Sequence, residues 1–452
     1  MQKLITKYGL AAHLAFLAVA PLFLSPTSVL WLSALAAVWV VMEPSRVGGE
    51  MLHDARRRVA GAIVRDPVFW FSLVLVAYVA LRFANGGVAL AYDAENSVWS
   101  ISEPALPFLP GSVSGVGFPE FSSTLALAVI LQGCRHALGR SARMAFLLVS
   151  SALAGSGTVA LAVMLAAESP IAQALVSHSL SNPRYVGSVM GVYWIVGIVS
   201  LLAAYERKWL RAMPLAIPAI GGTAAGLFMF APPMAQVAYA GVGVVVLGYS
   251  FLYARKCLSG SGEFKFLVTF ALSMVLGGVL ALSVLPESVV NLRLVPYRTG
   301  AFFDEGFLAL REALSGISLK VWKIHPWLGT GLGSFPLELR FIATEADWAI
   351  ASPGQLAPLN GYWHMLVERG IVGVMFFGSL VGFLVWTFFR RLVGGIRIAF
   401  PHPACWIGPL VLVAVLAETV IDVSYTVPGL ILAVAATLSL SAGSFPKEER
   451  NG

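Results

Sequence analysis

Charged residues are scarce in this sequence. Only 12% of its 452 residues are Asp, Glu, Lys or Arg, whereas 58% are hydrophobic. A soluble globular domain carries about 25% charged residues, about twice the fraction in this chain. Too few charged side chains are therefore present to cover a water-exposed surface. The composition therefore excludes a soluble enzyme, a disordered protein and a nucleic-acid-binding module. It is typical of a polytopic membrane protein.

The sequence also lacks the motifs that would hold a metal ion or a nucleotide. The spacing of its three cysteines, Cys134, Cys257 and Cys405, fits no metal site and implies no disulfide framework. It contains no Asp-x-Asp pair and no His-Glu-x-x-His helix, and the Gly-Thr-Gly-Leu-Gly run at 329–333 lacks a following Gly-Lys-Ser/Thr. We therefore expect neither a metal nor a cofactor.

Twelve apolar runs are candidates for membrane-spanning helices, each of which needs about 20 mainly apolar residues. They lie near 8–25, 27–43, 67–83, 121–134, 144–168, 186–205, 213–231, 235–254, 266–285, 362–389, 405–423 and 427–443. The first run follows Lys3 and Lys7, as a signal sequence would. Because Pro21 would directly follow the best cleavage site, we expect an uncleaved first helix.

The distribution of basic residues orients these helices. Lys and Arg total 30 against 23 Asp and Glu, a net charge of +7. Such residues gather in cytoplasmic loops beside anionic lipid, and with a cytoplasmic N-terminus most of them fall on that side. Examples are Arg56, Arg57, Arg58, Arg135, Arg140, Arg143, Arg207, Arg255 and Arg390. We predict an all-α integral membrane protein of about twelve transmembrane helices, with both termini cytoplasmic.

Two outer segments of this topology are long. Residues 286–361 would form a partly helical outer loop between helices 9 and 10, which divides helices 1–9 (1–285) from helices 10–12 and a cytoplasmic tail (362–452). The other segment, about 84–120, carries acidic residues but no Lys, Arg or His, and is punctuated by Pro and Gly. We expect it to be an irregular flap, and we assign no chemistry to it.

Apolar residues in the 286–361 loop recur at steps of three and four, which predicts an amphipathic helix over about 303–324, lying against the membrane or the bundle. They are Phe303, Phe307, Leu310, Leu314, Ile317, Val321 and Ile324. Arg311 lies at the edge of this stripe, where its stem can pack while its head faces a cavity. The helix would end at His325-Pro326, where we interpret His325 as a cap for the last carbonyls.

ATP is scarce on the outer side, so a reaction there needs a donor that is already activated and is delivered through the membrane. A lipid-linked pyrophosphate is the natural candidate, because its leaving group needs no nucleotide. Long loops are usually functional, and the 286–361 loop is the place where we expect such a donor to be used.

Three stretches carry a family resemblance. They are Arg311; His325-Pro326-Trp327-Leu328-Gly329-Thr330-Gly331-Leu332-Gly333-Ser334-Phe335; and Asn360 through Gly370 to Gly373, with Asp422 and Pro428 beyond them. Together they resemble the O-antigen ligase and polymerase family, integral-membrane glycosyltransferases of bacterial surface-polysaccharide assembly. The resemblance implies a protein of the bacterial inner membrane whose active site faces the periplasm. It also implies a glycan carried on undecaprenyl pyrophosphate as donor, an acceptor glycan or lipid A–core, and other polysaccharide-assembly proteins as partners.

The resemblance assigns the donor's pyrophosphate to arginines. Arg311 would bind it through paired charge-assisted hydrogen bonds, which suit a planar guanidinium. Arg298 and Arg184 are weaker candidates for the same task. The alternative is that Arg311 is exposed and pairs with Asp304 or Glu312.

A general base would take the proton from the attacking sugar hydroxyl, and His364 and Asp422 are the candidates. Glu418 lies four residues before Asp422, on the same face of an otherwise apolar helix, where ionisable groups are usually functional. Either of the two could be the base, and we assign Glu418 to substrate binding. The alternative is that Glu418 and Asp422 are structural partners for Arg82 or Arg298.

The sequence departs from the family pattern at two places. Leu359 stands where the family has a histidine before Asn360, and residues 233–236 read Pro-Met-Ala-Gln where the family has Ser-Arg-Gly. His364 lies five residues beyond Leu359, about 140° further round a helix, so it does not simply replace the missing side chain unless the helix starts later. Asn360 is expected to tie the loop to the following helix and to help bind substrate.

The leading hypothesis is a polymerase that extends one lipid-linked glycan with another, because the ligase-type histidine is missing. A ligase that transfers polymer to lipid A–core or to protein is the alternative within the class. A transporter of polysaccharide precursors is the rival from another class, although we find no internal repeat and few charges within the spans. A non-catalytic assembly partner is the third possibility.

Overall fold

The computed structural model describes residues 2–42, 52–93, 98–101, 106, 108–113, 115–166, 183–258, 261–284, 305–345, 360–395, 402–419 and 428–444. This part of the chain is mostly helical. It includes six helices that are long and apolar enough to cross a membrane, namely Pro67–Ala84, Val186–Glu206, Met213–Phe230, Ala235–Cys257, Gly262–Val279 and Gly361–Arg390. The fold is therefore that of an all-α membrane protein.

We number the helices in chain order. They are α1 Gln2–Val19, α2 Pro26–Met42, α3 Leu52–Val64, α4 Pro67–Ala84, α5 Gly117–Gln132, α6 Arg140–Ala166, α7 Pro183–Glu206, α8 Met213–Phe230, α9 Pro233–Cys257, α10 Gly262–Val284, α11 Glu305–Ile324, α12 Phe335–Ile342, α13 Gly361–Gly395, α14 Ile407–Thr419 and α15 Pro428–Ser444. A hairpin of strands β1 Leu90–Asp93 and β2 Val98–Ile101 pairs antiparallel, Leu90 opposite Ile101.

Each of the twelve apolar runs in the sequence overlaps one of these helices. Within the described residues only six helices reach the length and hydropathy of a span. Helices α2, α14 and α15, for example, have 17, 13 and 17 residues. The total of twelve spans and the cytoplasmic position of both termini stay predictions.

Helix α7 is at the centre of the bundle. Its apolar stretch is entirely buried, and it packs against α6, α8 and α9. A Cβ at Gly191 would lie only 2.5 Å from the Tyr239 ring, so the absent side chain lets α9 approach closely. Lipid is as apolar as leucine, so close packing of this kind, rather than removal from water, holds helices together in a bilayer.

Helix α11 packs its apolar stripe against α12 and α13. Leu314, Ile317 and Val321 form a buried cluster with residues of α12 and α13, which are Phe335, Leu339 and Val367. Residues 303 and 304, where the sequence predicted the start of the helix, lie outside the described residues. Helix α12 was not predicted, because eight residues are too few for a periodic pattern to stand out.

The segment expected to be an irregular flap has its own regular structure, so that expectation is wrong for the β1–β2 hairpin. The flap is also bonded to the glycine run at 329–333. The amide of Val113 donates to the carbonyl of Leu332 at 2.9 Å, and the amide of Leu332 donates to Gly111 at 3.1 Å. The flap, α11 and α12 therefore share one end of the bundle, which we call the loop face.

The opposite end of α4 carries an ionic cluster. Asp66 caps α4 by accepting from the amide of Val68 at 3.1 Å. It also accepts from Arg135 Nε at 2.7 Å, and its other close neighbour is His136 Nε2, also at 2.7 Å. Burial acts to raise the pKa of Asp66, but the bonds with His136 and Arg135 outweigh it and hold the pKa well below the usual value.

Candidate functional site

The chain reverses direction at two glycines, and these two turns contact each other at the loop face. Gly329 (φ +71°) follows α11, and Gly370 (φ +64°) breaks α13 near its start. A Cβ on Gly329 would lie 2.5 Å from the carbonyl carbon of Glu368, and one on Gly370 would clash with the carbonyl oxygen of Trp327. Both the left-handed backbone and the lack of space require glycine at these two positions.

Backbone hydrogen bonds join the two reversals along their whole length. They run from Thr330 N to Val367 O (2.9 Å), from Gly331 N to Glu368 O (3.2 Å), from Ile371 N to Pro326 O (3.0 Å) and from Val372 N to Trp327 O (3.0 Å). We call residues 326–331 and 367–372, joined in this way, the glycine junction. It brings together the two stretches that carry most of the family resemblance.

Arg82, near the end of α4, donates hydrogen bonds to both halves of the glycine junction. Its side chain is fully buried. It donates from Nη2 to the carbonyls of Glu368 at 2.8 Å and Leu328 at 3.1 Å, and from Nη1 to the Tyr78 hydroxyl at 2.9 Å. A weaker bond from Nε reaches the flap at Pro110 O, 3.4 Å away. One guanidinium therefore ties α4, the flap and both halves of the junction together.

Sequence reasoning missed this role of Arg82. The expected alternative, in which Arg82 pairs with Glu418, is wrong, because its donors are used on the junction. The Glu418 carboxylate is instead buried in the bundle, where it accepts from the hydroxyls of Ser188 on α7 and Tyr239 on α9, the latter at 3.1 Å. The signal that could have revealed Arg82 is an arginine inside the last turn of an apolar span.

His364 and Glu368 form a buried pair one helical turn apart on α13. His364 Nε2 lies 3.0 Å from Glu368 Oε1, and each residue is less than 10% exposed. The Phe335 ring covers His364 edge-on, with ring centroids 6.3 Å apart. Glu368 thus fixes the orientation of the imidazole, as an acidic partner does for a histidine that acts as a base.

Asn360 and Arg369 fasten the start of α13. Asn360 Oδ1 accepts from the amides of Tyr362 at 3.0 Å and Trp363 at 3.3 Å, so it is the N-cap of the helix. Arg369 forms an ion pair with Glu120 of α5. The structure therefore gives Asn360 the tying role that the sequence suggested.

A cavity of about 500 Å³ opens at the loop face between the flap and the 324–330 turn. Phe108 and Pro110 form one wall, and His325, Trp327 and Glu338 are among the residues of the other. Burial raises the pKa of the Glu338 carboxyl above its usual value. His325 is exposed and lines this cavity, so its side chain is open to a ligand.

The structure does not bring all the predicted residues together. Arg311 is half-buried near the start of α11, 14 residues and therefore about 20 Å along the helix from His325. The described residues that line the cavity include neither Arg311 nor His364. Arg184 lies in the first turn of α7, without a described side chain, and Arg298 and Asp422 lie outside the described residues.

No protein-family model matches this chain, and no curated protein matches it. In the described part of the chain, no group of three or more His, Cys, Asp or Glu side chains could hold a metal ion. The site geometry and the motif residues therefore carry the functional conclusion.

Proposed function

We propose that this chain is a membrane glycosyltransferase of the O-antigen or exopolysaccharide polymerase type. It joins an undecaprenyl-pyrophosphate-linked glycan to an acceptor sugar at the periplasmic face of the bacterial inner membrane. The observation that carries the proposal is the glycine junction. Two stretches that resemble the family's outer-loop motifs, 325–335 and 360–373, lie apart in the sequence yet are bonded to each other at the loop face.

The reaction is a displacement at the anomeric carbon of the donor glycan. The acceptor hydroxyl oxygen forms the new bond to that carbon, and the bond from the carbon to the pyrophosphate oxygen breaks. The electron pair leaves with undecaprenyl pyrophosphate. Arg311, with Arg298 or Arg184, stabilises the charge that develops on this leaving group through guanidinium hydrogen bonds.

The proton of the acceptor hydroxyl passes to His364 or to Asp422. His364 is supported by its 3.0 Å contact with Glu368, which orients the imidazole ring. Glu368 would then be a positioning residue. Leu359, at the place of the family's histidine, favours extension of one carrier-linked glycan by another over ligation to lipid A–core.

The charge distribution supports a periplasmic loop face. Exposed arginines of α3, Arg57 and Arg58, lie at the end of the bundle opposite the flap, and Arg207 Nη1 reaches Ser141 there at 2.8 Å. Basic residues of this kind mark the cytoplasmic side of a bacterial inner membrane. The flap and α11 then project into the periplasm.

The test is mass spectrometry of carrier-linked glycans in a strain that lacks the gene, beside its parent. Accumulation of single repeat units is the result expected of a missing polymerase. Accumulation of long carrier-linked chains would replace the polymerase with a ligase. Unchanged carrier-linked glycans would contradict glycan transfer altogether and would favour the transporter.

A further inference from the structure

The loop-face cavity is suited in size and place to a small polar ligand. Its volume of about 500 Å³ lies within the 300–1,000 Å³ of ligand pockets. It is lined by the flap, the 324–330 turn and α12, all of which lie outside the six candidate spans. In the topology of the proposed function the loop face is periplasmic, so a ligand reaches the cavity from the aqueous phase.

Two aromatic side chains in the cavity are unusually exposed. Phe108 from the flap is 75% exposed, and Trp327 from the turn is 68% exposed. Aromatic residues normally bury most of their large surface, so rings left open inside a concave site are available as platforms for a ligand. The apolar C–H face of a sugar ring stacks on a surface of this kind.

The polar groups of the cavity match the hydroxyls of a sugar. The two oxygens of the Glu338 carboxyl group can bind two neighbouring hydroxyls at once. His325, on the 324–330 turn, lines the same cavity and offers a ring nitrogen. A lipid chain would leave the half-buried Glu338 without hydrogen-bond donors, which is costly. The lining therefore favours a carbohydrate.

We infer that the loop-face cavity is a carbohydrate-binding subsite in which a sugar ring stacks on Trp327 and Phe108 and bonds its hydroxyls to Glu338. The inference rests on the proposed function for its substrate. Since α11 separates the cavity from Arg311 by about 20 Å, the bound sugar lies several units along the glycan from the reacting bond. Binding at the cavity fixes the position of the repeat unit relative to the reacting bond. Contacts far from that bond thereby contribute to the transfer step.

Binding is measured by saturation-transfer NMR and calorimetry on the full chain in lipid nanodiscs. The probe is the reducing oligosaccharide that mild acid releases from the carrier-linked glycans of the host cell. We expect the wild-type protein to bind it, and Trp327→Ala and Phe108→Ala to bind at least about tenfold more weakly, since each loses a stacking surface. Phe341→Ala is the matched control, because Phe341 is an exposed ring on α12 that does not line the cavity.

The outcomes separate this inference from the proposed function. Equal affinity of wild type and Trp327→Ala, or no binding by the wild type, would overturn the subsite even if the deletion strain accumulates repeat units. Ring-dependent binding in a protein whose deletion changes no carrier-linked glycan would support the subsite and overturn the transferase. Because both rings are exposed, their removal leaves the thermal unfolding midpoint unchanged, and that measurement guards against loss of fold.

Discussion

Replacing Arg82 with alanine removes the side chain that connects α4 to both halves of the glycine junction. The guanidinium makes three hydrogen bonds of 3.1 Å or less, to Tyr78, Leu328 and Glu368. Each bond involves a charged donor, and such bonds are worth about 1.5–3 kcal/mol apiece. The individual losses do not add, because the three acceptors share one donor group.

We expect Arg82→Ala to lower the free energy of unfolding by about 3–5 kcal/mol, because it leaves one buried hydroxyl and two buried carbonyls without their charged donor. For a chain of 452 residues the entropy of unfolding is about 1 kcal/mol per degree. The thermal midpoint should therefore fall by about 3–5 °C. Arg82→Lys keeps the charge but not the planar fork of donors, so we expect it to recover only a minor part of this loss.

The assay is thermal unfolding of the purified protein, followed by a thiol-reactive fluorophore. Cys134 and Cys405 are fully buried and become reactive only when the bundle opens, and the exposed Cys257 is replaced by Ser in every protein compared. Arg340→Ala is the control, since Arg340 is exposed on α12 and should change stability by less than about 0.5 kcal/mol. If Arg82→Ala has the same midpoint as Arg340→Ala, the reasoning that Arg82 holds the junction is refuted.

Three further predictions concern backbone strain and pH. Gly329→Ala should destabilise the protein, because the added Cβ would clash with the Glu368 carbonyl. Gly316→Ala should be neutral or stabilising, because open space surrounds that position in α11. Equal thermal midpoints of the two variants would contradict the close contact at the glycine junction. Asp66→Asn should lower the thermal midpoint at pH 7, because the folded protein stabilises the ionised form of Asp66 and so lowers its pKa. The difference in midpoint from wild type should shrink as the pH falls through 3.8 and below, and a constant difference would contradict this. The wild type should lose stability as the pH rises above 4.5, because burial in the folded state disfavours the ionised form of Glu338. Glu338→Gln should not show this loss, and parallel pH profiles of the two thermal midpoints would contradict that.

The helices were predictable because apolar runs and a stripe of period 3.6 are local properties of the sequence. Helix α11 ends at Ile324, as its stripe and the following His325-Pro326 indicate. The hairpin in the flap was not predictable, because its strands are only four residues long and sit among turn residues. A four-residue run carries too little alternation to be distinguished from a loop.

The candidate site was predictable only in part. Gly329 and Gly370 stood out as motif residues, but their direct contact depends on the path of 40 intervening residues and cannot be read from either stretch. Arg82 lies about 250 residues from the carbonyl of Leu328 that it binds. Glu338 belongs to no pattern at all. Long-range contacts of this kind are set by tertiary packing, so they become visible only in the folded chain.

The most direct measurement is glycan transfer by the purified protein in proteoliposomes, supplied with carrier-linked repeat units extracted from the deletion strain. We expect the wild type and Arg340→Ala to form carrier-linked glycans of two and more repeats while releasing undecaprenyl pyrophosphate. Arg311→Ala should form none, although it folds and inserts normally. Absence of any product from the wild type, or normal product from Arg311→Ala, would contradict the account.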